Sequence, residues 1–492
     1  MNDAILQNEK RINVYNSTDS SLLNQQSIIT YVTDSSTSNK ASINQTKTRE
    51  NTSITQSSTE QFYDTYPQFF PDFNNIVVPK KLKRHLGRNI PINLLKRIDP
   101  NKEVAVEKCL IIASNLTSTL FSEEKWKSLS SKILNEQVKK GNDNTFIYNY
   151  VLDVLKYSTN TTAPVIETKK NSNGVDIYQE GICSKQFKFN NSFSNTGISN
   201  YFIKNQDCII KRRKYIYKKL SIATSNKIGN NLLNLYGSIE LPTLKEINKE
   251  AKRLIKLNYV TKKGKLLTFL NHRNKEYYSD FENRSFVEEN IKTFEYLTNS
   301  GFMIPIVGND KSGGRVFDSF NLMPSWIRKL VKIDGEGIVE IDFCALHPNI
   351  AMAIYGGFKK FITHKQIAEE SGINIANVKI ENLSFFNKKV PQMKKSTLYE
   401  YYLNNEPDMV KNIEADKYNS KDSHKATSKK LFKKEVDIMT KCIIELNAKG
   451  IYVGYVFDAL FCKKSDAKII AEIMNKIVLE NGVFTTAKHE IN

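Results

Sequence analysis

The chain has 492 residues, 40% of them hydrophobic and 10% aromatic, which is enough for several globular domains with sizeable cores. It carries 72 Lys and Arg residues against 52 Asp and Glu residues, and the formal net charge of +20 favours a polyanionic partner such as nucleic acid. There is no long apolar run, no basic-then-apolar leader and no CxxC pair among the six scattered cysteines. These features argue against a membrane span, a zinc site and a disulfide framework, and we expect a cytoplasmic protein.

Residues 1–62 are rich in Ser, Thr, Asn and Gln and poor in apolar residues. Such a segment buries too little surface to offset the entropy lost on ordering, so we predict a disordered N-terminal tail. Residues 63–102 follow as a connector, in which an aromatic stretch precedes a basic cluster. That cluster comprises Lys80, Lys81, Lys83, Arg84, His85 and Arg88. A contact with phosphates and a solvated surface are equally open interpretations of it.

Residues 103–190 are predicted to form a small helical, winged-helix-like domain. Apolar residues recur at helical spacing in 104–121, 125–141 and 145–158. Two short extended segments, at 164–170 and 178–190, come after these helices. Helices followed by a two-stranded wing often bind DNA, and a helical adaptor that packs on the rest of the chain is the alternative.

Residues 191–305 are predicted to be a short linker followed by a helical, thumb-like region. The segment KRRKYIYKKL at 211–220 alternates basic and aromatic side chains. Arg and Lys pair with phosphates while Tyr stacks on bases, so Lys211, Arg212 and Arg213 are candidate nucleic-acid contacts. A basic amphipathic element on the protein surface is the alternative.

The block at 313–357 contains the first candidate catalytic residue. The apolar stretch IVEIDF at 338–343 follows a glycine-containing turn and predicts a buried strand, with Asp342 near its end. Residues 345–357 predict a helix with Pro348 in its first turn. A carboxylate between a strand and a helix emerges at the edge of a sheet, where a ligand can reach it.

The second candidate catalytic residue lies near the C-terminus. Residues 428–451 predict a long amphipathic helix that ends at Gly450. The apolar hairpin YVGYVFDALFCKK at 452–464 then has Asp458 at its tip, and 465–482 predict another helix. An Asp in this setting is costly to bury unless it binds a cation or a hydrogen-bond donor. An ordinary turn aspartate is the alternative.

Asp342 and Asp458 together suit the chemistry of phosphoryl transfer. That reaction commonly uses two Mg²⁺ ions about 3.5–4 Å apart. Each Mg²⁺ favours one or two carboxylates, supplemented by water and substrate phosphates. Both ions stabilise the charge that develops on the transferred phosphate. We therefore predict that these two carboxylates hold two Mg²⁺ ions.

At these residues the chain resembles the family A DNA polymerases and the single-subunit polymerases related to them, over about residues 310–490. IVEIDF corresponds to motif A and YVFDAL to motif C. The segment that precedes motif A in this family is matched by Gly314, Arg315, Asn321, Leu322, Pro324 and Arg328. The resemblance implies an α+β fold in which a polymerase-like palm with helical fingers occupies 306–492. It also implies a template-dependent DNA polymerase that uses a DNA primer-template and nucleoside triphosphates.

The layout is also similar to polymerase-like proteins carried on bacterial mobile elements. Those proteins pair such a palm with a helical region that contains a W-x-x-L-S-S-K stretch. The matching residues here are Trp126, Leu129, Ser130, Ser131 and Lys132.

The family resemblance implies roles for further residues. Arg315 and Arg328 would contact the backbone of the primer-template. Lys394 or Lys395 would bind the incoming triphosphate, and Tyr399 would stack near the nascent base pair. His347 occupies the motif A position of the Glu that discriminates the sugar, so the choice between dNTP and rNTP stays open.

Motif C departs from the family pattern at two positions, because Phe457 replaces a His and Ala459 replaces an acidic or hydroxyl residue. The stretch DFCALHPNI also fits the motif A of family B polymerases, but the single Asp in VFDALF favours family A. Two other functions stay open. One is an RNA polymerase, a primase-like enzyme or a degenerate palm protein, and the other is a non-enzymatic replication initiator that binds DNA.

Overall fold

The protein is described by a computed structural model that covers residues 74–121, 125–139, 146–178, 184–194, 197–270, 280, 282–299, 304–359 and 361–489. The described chain is a mixed α and β fold, as expected. The tail predicted at 1–62 lies outside the described residues, and so does the aromatic part of the connector up to residue 73. No helix within the described ranges is long and apolar enough to cross a membrane.

An N-terminal unit has its own hydrophobic core, built from residues between Ile76 and Cys208. Its elements are β1 (Asn75–Pro79), α1 (Leu82–Asn89), α2 (Ile92–Ile98), α3 (Lys102–Ser114), β2 (Lys127–Ser128), α4 (Ser131–Val138), α5 (Ile147–Lys156), β3 (Ile166–Thr168), β4 (Gln186–Phe189), α6 (Asn191–Ser194) and β5 (Ile198–Phe202). Helix α3 lies at the centre of the unit and is buried continuously from Ala105 to Ala113. Most of these buried positions are apolar, and the two charged ones have partners, because Lys108 forms an ion pair with Asp99 (3.0 Å) and Glu107 accepts a hydrogen bond from Tyr201.

Part of this unit has the element order of a winged-helix domain. Helix α3, strand β2 and helices α4 and α5 are followed by β3 and β4, and the three strands form an antiparallel sheet in the order β2–β4–β3. The range 125–141 differs from its prediction, because Lys127–Ser128 form a strand and the helix begins only at Ser131. Ser130 explains this start, since its hydroxyl accepts a hydrogen bond from the backbone of Ile133 and caps the helix.

The N-terminal unit is larger than the predicted range 103–190. Strand β1 pairs along its length with β5, although the two segments were predicted to be a connector and a linker. The buried carboxylate of Glu107 on α3 accepts hydrogen bonds from the Tyr201 hydroxyl (2.9 Å) and the Lys204 backbone (2.7 Å). Both segments therefore belong to this unit. Their partners are distant in the sequence, so no local pattern indicated the pairing.

The next region is mainly helical, as predicted. It contains α7 (Gln206–Ser225), α8 (Lys227–Leu235), β6 (Ile239–Glu240), α9 (Leu244–Lys256), β7 (Leu266–Thr268), β8 (Arg284–Phe286) and α10 (Val287–Asn299). Helix α7 joins the two cores, because Cys208 packs in the N-terminal core while Ile216 and Leu220 pack in the larger second core.

The second core contains a six-stranded sheet and the helices that pack on it. The elements are β9 (Ile306–Val307), β10 (Val316–Phe317), α11 (Ser319–Leu322), α12 (Ser325–Arg328), β11 (Lys332–Ile333), β12 (Glu336–Phe343), α13 (Leu346–Tyr355), α14 (His364–Ser371), α15 (Ile375–Phe385), α16 (Val390–Met393), α17 (Tyr399–Asn405), α18 (Pro407–Asn419), α19 (Ala426–Asn447), β13 (Gly454–Val456), β14 (Ala459–Lys463), α20 (Ala467–Glu480) and β15 (Ala487–His489). The predicted strand at 338–343 and the predicted helices around motif C are confirmed as β12, α19 and α20.

Strand β12 is the central strand of a six-stranded sheet. Its order is β13–β14–β12–β11–β6, and β15 pairs with the end of β12. Side chains alternate between the two faces of a strand, so Ile341 and Phe343 share one face and Glu340 and Asp342 the other. Ile341 and Phe343 are buried in the second core. Asp342 therefore points to the opposite face.

The helices α14 to α18 lie between β12 and α19 in the chain, and their role as fingers stays a prediction. A buried lysine holds part of this region together. The ammonium of Lys417 donates hydrogen bonds to the carbonyl oxygens of Phe386 (2.8 Å), Lys388 (2.6 Å) and His424 (3.2 Å). A buried charge of this kind is tolerated because its three donors are used.

Candidate active site

Strand register brings the two predicted catalytic aspartates together. Asp342 on β12 pairs with Ala459 on β14, and Asp458 is the residue immediately before Ala459. Paired Cα atoms in antiparallel strands are about 5 Å apart and consecutive Cα atoms about 3.8 Å apart. The two aspartates are separated by more than a hundred residues in the sequence but are neighbours at one end of the sheet.

Asp458 lies in the tight turn that joins β13 to β14. The turn consists of Phe457 and Asp458, since Val456 already pairs with Ala459. Phe457 has a φ of +58°, whereas Asp458 is not in the left-handed region. A two-residue hairpin with a positive φ at its first position usually has glycine there. A phenylalanine in that conformation is strained, and such strain persists only where surrounding contacts hold it.

Asp458 lies among charged side chains of both signs. Burial and the negative charge of Glu435 raise the pKa of Asp458, while the positive charges of His347 and Arg315 lower it. The Asp458 carboxylate therefore belongs to a compact group of charged side chains that come from four separate parts of the chain.

Glu435 is the centre of this charged group. Its carboxylate accepts hydrogen bonds from Nε (2.8 Å) and Nη2 (2.5 Å) of Arg315, and it lies 2.7 Å from Nε2 of His347. The Glu435 side chain is fully buried. Burial alone would raise the pKa of Glu435, but the charge of Arg315 and the hydrogen bond with His347 lower it to about 2. Glu435 is therefore a carboxylate at neutral pH.

Arg315 is also held by two aromatic rings. The guanidinium carbon lies 3.8 Å from the ring centroid of Phe432 and 4.5 Å from that of Phe457. Arg315 is only 4% exposed. Stacking on both rings, combined with the two hydrogen bonds to Glu435, connects α19 to the strained motif C turn.

Sequence reasoning missed Glu435, although a signal was available. Glu435 lies four residues after Leu431 and four before Met439, on the buried stripe of α19. A charged residue on the apolar stripe of an amphipathic helix is seldom buried without a partner of opposite charge. The sequence does not identify that partner as Arg315, which lies 120 positions away.

A glycine-containing loop before β10 places Arg315. The backbone N–H of Gly308 donates to the carbonyl of Arg315 (2.8 Å), and Gly313 and Gly314 have φ values of +65° and +84°. A Cβ atom on Gly313 would lie 2.5 Å from Cβ of Phe432 and 2.7 Å from the backbone nitrogen of Lys433. The loop can approach α19 this closely only because residue 313 has no side chain.

Replacing Gly313 with alanine is expected to lower the free energy of unfolding by about 3 kcal/mol and to reduce activity, because the new methyl group forces the loop away from α19. Gly314→Ala is the matched control. It has the same unfavourable sign of φ, but its nearest atom, Cγ1 of Val436, is 3.9 Å away, so a cost of about 1 kcal/mol is expected. Chemical denaturation measures both values. Equal losses in the two variants would contradict the close-approach explanation.

Arg328 lies on the same face of the sheet as Asp342. Its guanidinium carbon is 5.2 Å from the ring centroid of Phe461 on β14. Phe461 is the cross-strand partner of Glu340 on β12, and cross-strand partners share a face of the sheet. The side chain is 8% exposed, and Nη2 is 3.5 Å from the Met323 carbonyl. Within the described residues, Nε and Nη1 have no hydrogen-bond partner. Burial lowers the pKa of Arg328, and the negative charges of Glu340 and Asp318 oppose that effect.

Two of the predicted nucleotide-binding residues, Lys394 and Tyr399, contact the same carboxylate. The Tyr399 hydroxyl donates to Glu414 of α18 (2.8 Å), and the Lys394 ammonium lies 3.3 Å from the same carboxylate. Lys395 is exposed beside them. Their contact with a triphosphate stays a prediction. His347 lies apart from this group, next to Glu435 and 5.6 Å from the ring centroid of Phe432.

Two of the basic residues predicted to contact nucleic acid on α7, Lys211 and Arg212, donate hydrogen bonds within the chain. Lys211 donates to the carbonyl of Lys139 and to the carboxylate of Asp207, and Arg212 donates to the carbonyl of Asn75 (3.3 Å). These bonds attach α7 to the N-terminal unit. Arg213 is exposed. Contact of all three with nucleic acid stays a prediction.

One further cation at the site had no sequence signal. Lys488 on β15 pairs directly with Asp342, on the side of β12 away from β14, and is exposed. Cross-strand partners share a face of the sheet, so a positive charge lies next to the motif A carboxylate.

The chain is distantly similar to solved structures. No protein-family model and no curated protein sequence matches the chain. Among solved structures, the chain is similar to the POL domain of Pol1 from M. smegmatis in complex with DNA primer-template and dNTP, with a TM-score of 0.35 and 9% sequence identity. The alignment covers 57% of this chain and 73% of that chain. The functional assignment therefore depends on the residues of this chain themselves.

Proposed function

We propose that the protein is a template-directed nucleotidyltransferase, a DNA polymerase that extends a primer with nucleoside triphosphates. The observation that carries this proposal is the register of β12 and β14, which makes Asp342 and Asp458 neighbours at one end of the sheet. One carboxylate at the end of β12 and one in the adjoining turn are ligands of the kind that phosphoryl transfer with two metal ions uses.

The donor set at this edge fits Mg²⁺. The described residues contain no group of three or more His, Cys, Asp and Glu side chains that could hold a metal ion, so water and substrate phosphates would have to complete the coordination at Asp342 and Asp458. Mg²⁺ suits such a site, since it usually keeps several waters and takes one or two carboxylates together with substrate phosphates. When bound, Mg²⁺ would activate the primer 3′-hydroxyl and stabilise the charge on the transferred phosphate.

Other residues of the chain would bind and orient the substrates. Arg328 lies on the Asp342 face with Nε and Nη1 buried and without a hydrogen-bond partner among the described residues, so its contact with the backbone of the primer-template stays a prediction from the family resemblance. Arg315 uses its donors on Glu435 and is almost fully buried, so we assign it a positioning role in place of the backbone contact expected from the family resemblance. Lys488 would face the triphosphate from β15.

Template-directed primer extension tests the proposal. The wild-type protein is expected to add the nucleotide complementary to the next template base, to add a different nucleotide when that base is changed, and to stop when EDTA removes Mg²⁺. Parallel reactions with dNTP and rNTP determine the sugar preference. Addition that does not depend on the template base would contradict template direction. The absence of addition with every template would contradict the proposal that the protein is a nucleotidyltransferase.

A second function, a replication initiator, is supported by the winged-helix element order of α3 to β4. An initiator would bind one duplex sequence far more tightly than others, and Asp342→Ala and Asp458→Ala would leave its activity unchanged. Competition binding with a library of duplexes distinguishes this function from the polymerase.

A further inference from the structure

A strongly cationic surface lies in the N-terminal unit, away from the palm residues. We call it the basic face, and it consists of Lys80, Lys81, Lys83, Arg84, Arg88, Lys96 and Arg97, all exposed. The segment from residue 73 to residue 98 contains no Asp or Glu. The local charge is therefore positive without compensation along the chain.

Helices α1 and α2 present these charges in a fixed direction. Leu82 and Leu86 on α1, and Leu95 and Ile98 on α2, are buried in the N-terminal core. Since the apolar side of each helix is anchored, the basic side chains of the same helices project from the opposite side. The basic face is thus a rigid surface of a folded unit.

The basic face is almost free of compensating ion pairs. Among the described residues, only Arg97 has one, to Asp153 (3.1 Å). Helix α9 offers a contrast, because its exposed lysines alternate with Glu246 and Glu250, and Arg253 donates to Glu250 (2.7 and 2.8 Å). Uncompensated like charges repel each other, and a polyanion bound across them removes that repulsion.

The basic face is continuous with helix α5, the third helix of the winged-helix order. Helix α2 packs against α5, and Arg97 lies 4.5 Å from the ring centroid of Tyr150 on α5. Lys156 is the single Lys or Arg in α5. A duplex placed along α5 would therefore obtain most of its phosphate contacts from α1 and α2.

The chemistry of the surface favours a duplex over a single strand. Single-strand sites combine cations with aromatic rings on which unpaired bases stack. No exposed side chain of α1 or α2 is aromatic, and Lys83 lies over the nearby ring of Tyr201 (5.1 Å). Helix α1 is about 12 Å long, and about seven phosphate charges occur along that length of a duplex. The cations on and next to α1 therefore have enough phosphates to contact.

We infer that the basic face binds the phosphate backbone of duplex nucleic acid, as a contact separate from the palm. The inference goes beyond nucleotidyl transfer, because the surface includes none of the residues assigned to that reaction. It predicts affinity without base specificity, since phosphate contacts position a duplex but do not read its sequence.

The test uses the full chain and a short labelled duplex in a fluorescence anisotropy titration at several salt concentrations. The variant carries Lys81→Gln, Lys83→Gln, Arg84→Gln and Arg88→Gln. Its affinity is expected to fall at least about tenfold at moderate salt, and the slope of log affinity against log salt to become shallower by about 3. The matched control removes four exposed lysines from α9 by Lys245→Gln, Lys249→Gln, Lys252→Gln and Lys256→Gln. It is expected to bind like the wild type.

A charge-keeping variant with Lys81→Arg, Lys83→Arg, Arg84→Lys and Arg88→Lys is expected to retain affinity, and equal melting temperatures show that all variants fold. Duplex DNA and duplex RNA are titrated in parallel to identify the preferred duplex. An unchanged affinity of the glutamine variant, an equal loss in the α9 control, or a loss with single strands alone would overturn the inference. Asp342→Ala is expected to bind the duplex normally, so a failure of primer extension and a failure of this inference are distinguishable.

Discussion

Asp342→Asn and Asp458→Asn are each expected to reduce primer extension by at least about 10³-fold. Each change removes one negative ligand from the edge where β12 and β14 meet. The lost stabilisation of the transferred phosphate is several kcal/mol, and each 1.36 kcal/mol corresponds to about a tenfold change in rate. Quantitative extension assays at saturating Mg²⁺ measure the effect.

Stability measurements separate this loss of activity from misfolding. Burial and the charge of Glu435 raise the pKa of Asp458, so folding is more favourable with a neutral side chain at this position than with a charged one. Asp458→Asn is therefore expected to leave the free energy of unfolding unchanged or to increase it. Asp437→Ala is the control, because Asp437 lies on the exposed side of α19 in an ion pair with Lys441 (2.8 Å). Extension that survives both changes at the sheet edge would remove the proposed active site.

Glu435→Ala is expected to destabilise the protein by about 3–5 kcal/mol, because it leaves the guanidinium of Arg315 buried without its carboxylate partner. Extension is also expected to fall, since Arg315 stacks on Phe457 in the turn that carries Asp458. Chemical denaturation and primer extension measure the two effects. Glu445→Ala is the matched control on the same helix. Glu445 forms an exposed ion pair with Lys476 (3.1 Å), and its loss is expected to cost less than about 1 kcal/mol.

A double variant distinguishes the role in stability from the role in activity. Replacing both partners of a buried ion pair by apolar residues of similar size is often close to neutral. Arg315→Met combined with Glu435→Leu is therefore expected to recover most of the stability lost in Glu435→Ala. It is not expected to recover extension, because the cation that holds Phe457 is missing. Wild-type activity in the double variant would show that Arg315 has no positioning role.

The sequence predicted the local elements around Asp342 and Asp458 well. The strand that carries Asp342, the long helix before motif C and the helix after it have apolar patterns that repeat every two or every three to four residues. Such patterns depend on residues that are close together in the chain, and they are visible without the fold. The same patterns indicated the helices and the wing strands of the N-terminal unit.

Only the tertiary structure decided which of these elements meet. The register of β12 against β14 makes Asp342 and Asp458 neighbours, and the packing of the glycine loop on α19 joins Arg315 to Glu435. Residues 75–79, predicted to belong to a connector, became a strand because β5 supplies their hydrogen-bond partners. Periodicity shows that a side chain is buried, but the identity of its partner depends on register and helix packing between distant segments. For that reason the sequence indicated both aspartates, whereas Glu435 and Lys488 were recognised only in the folded chain.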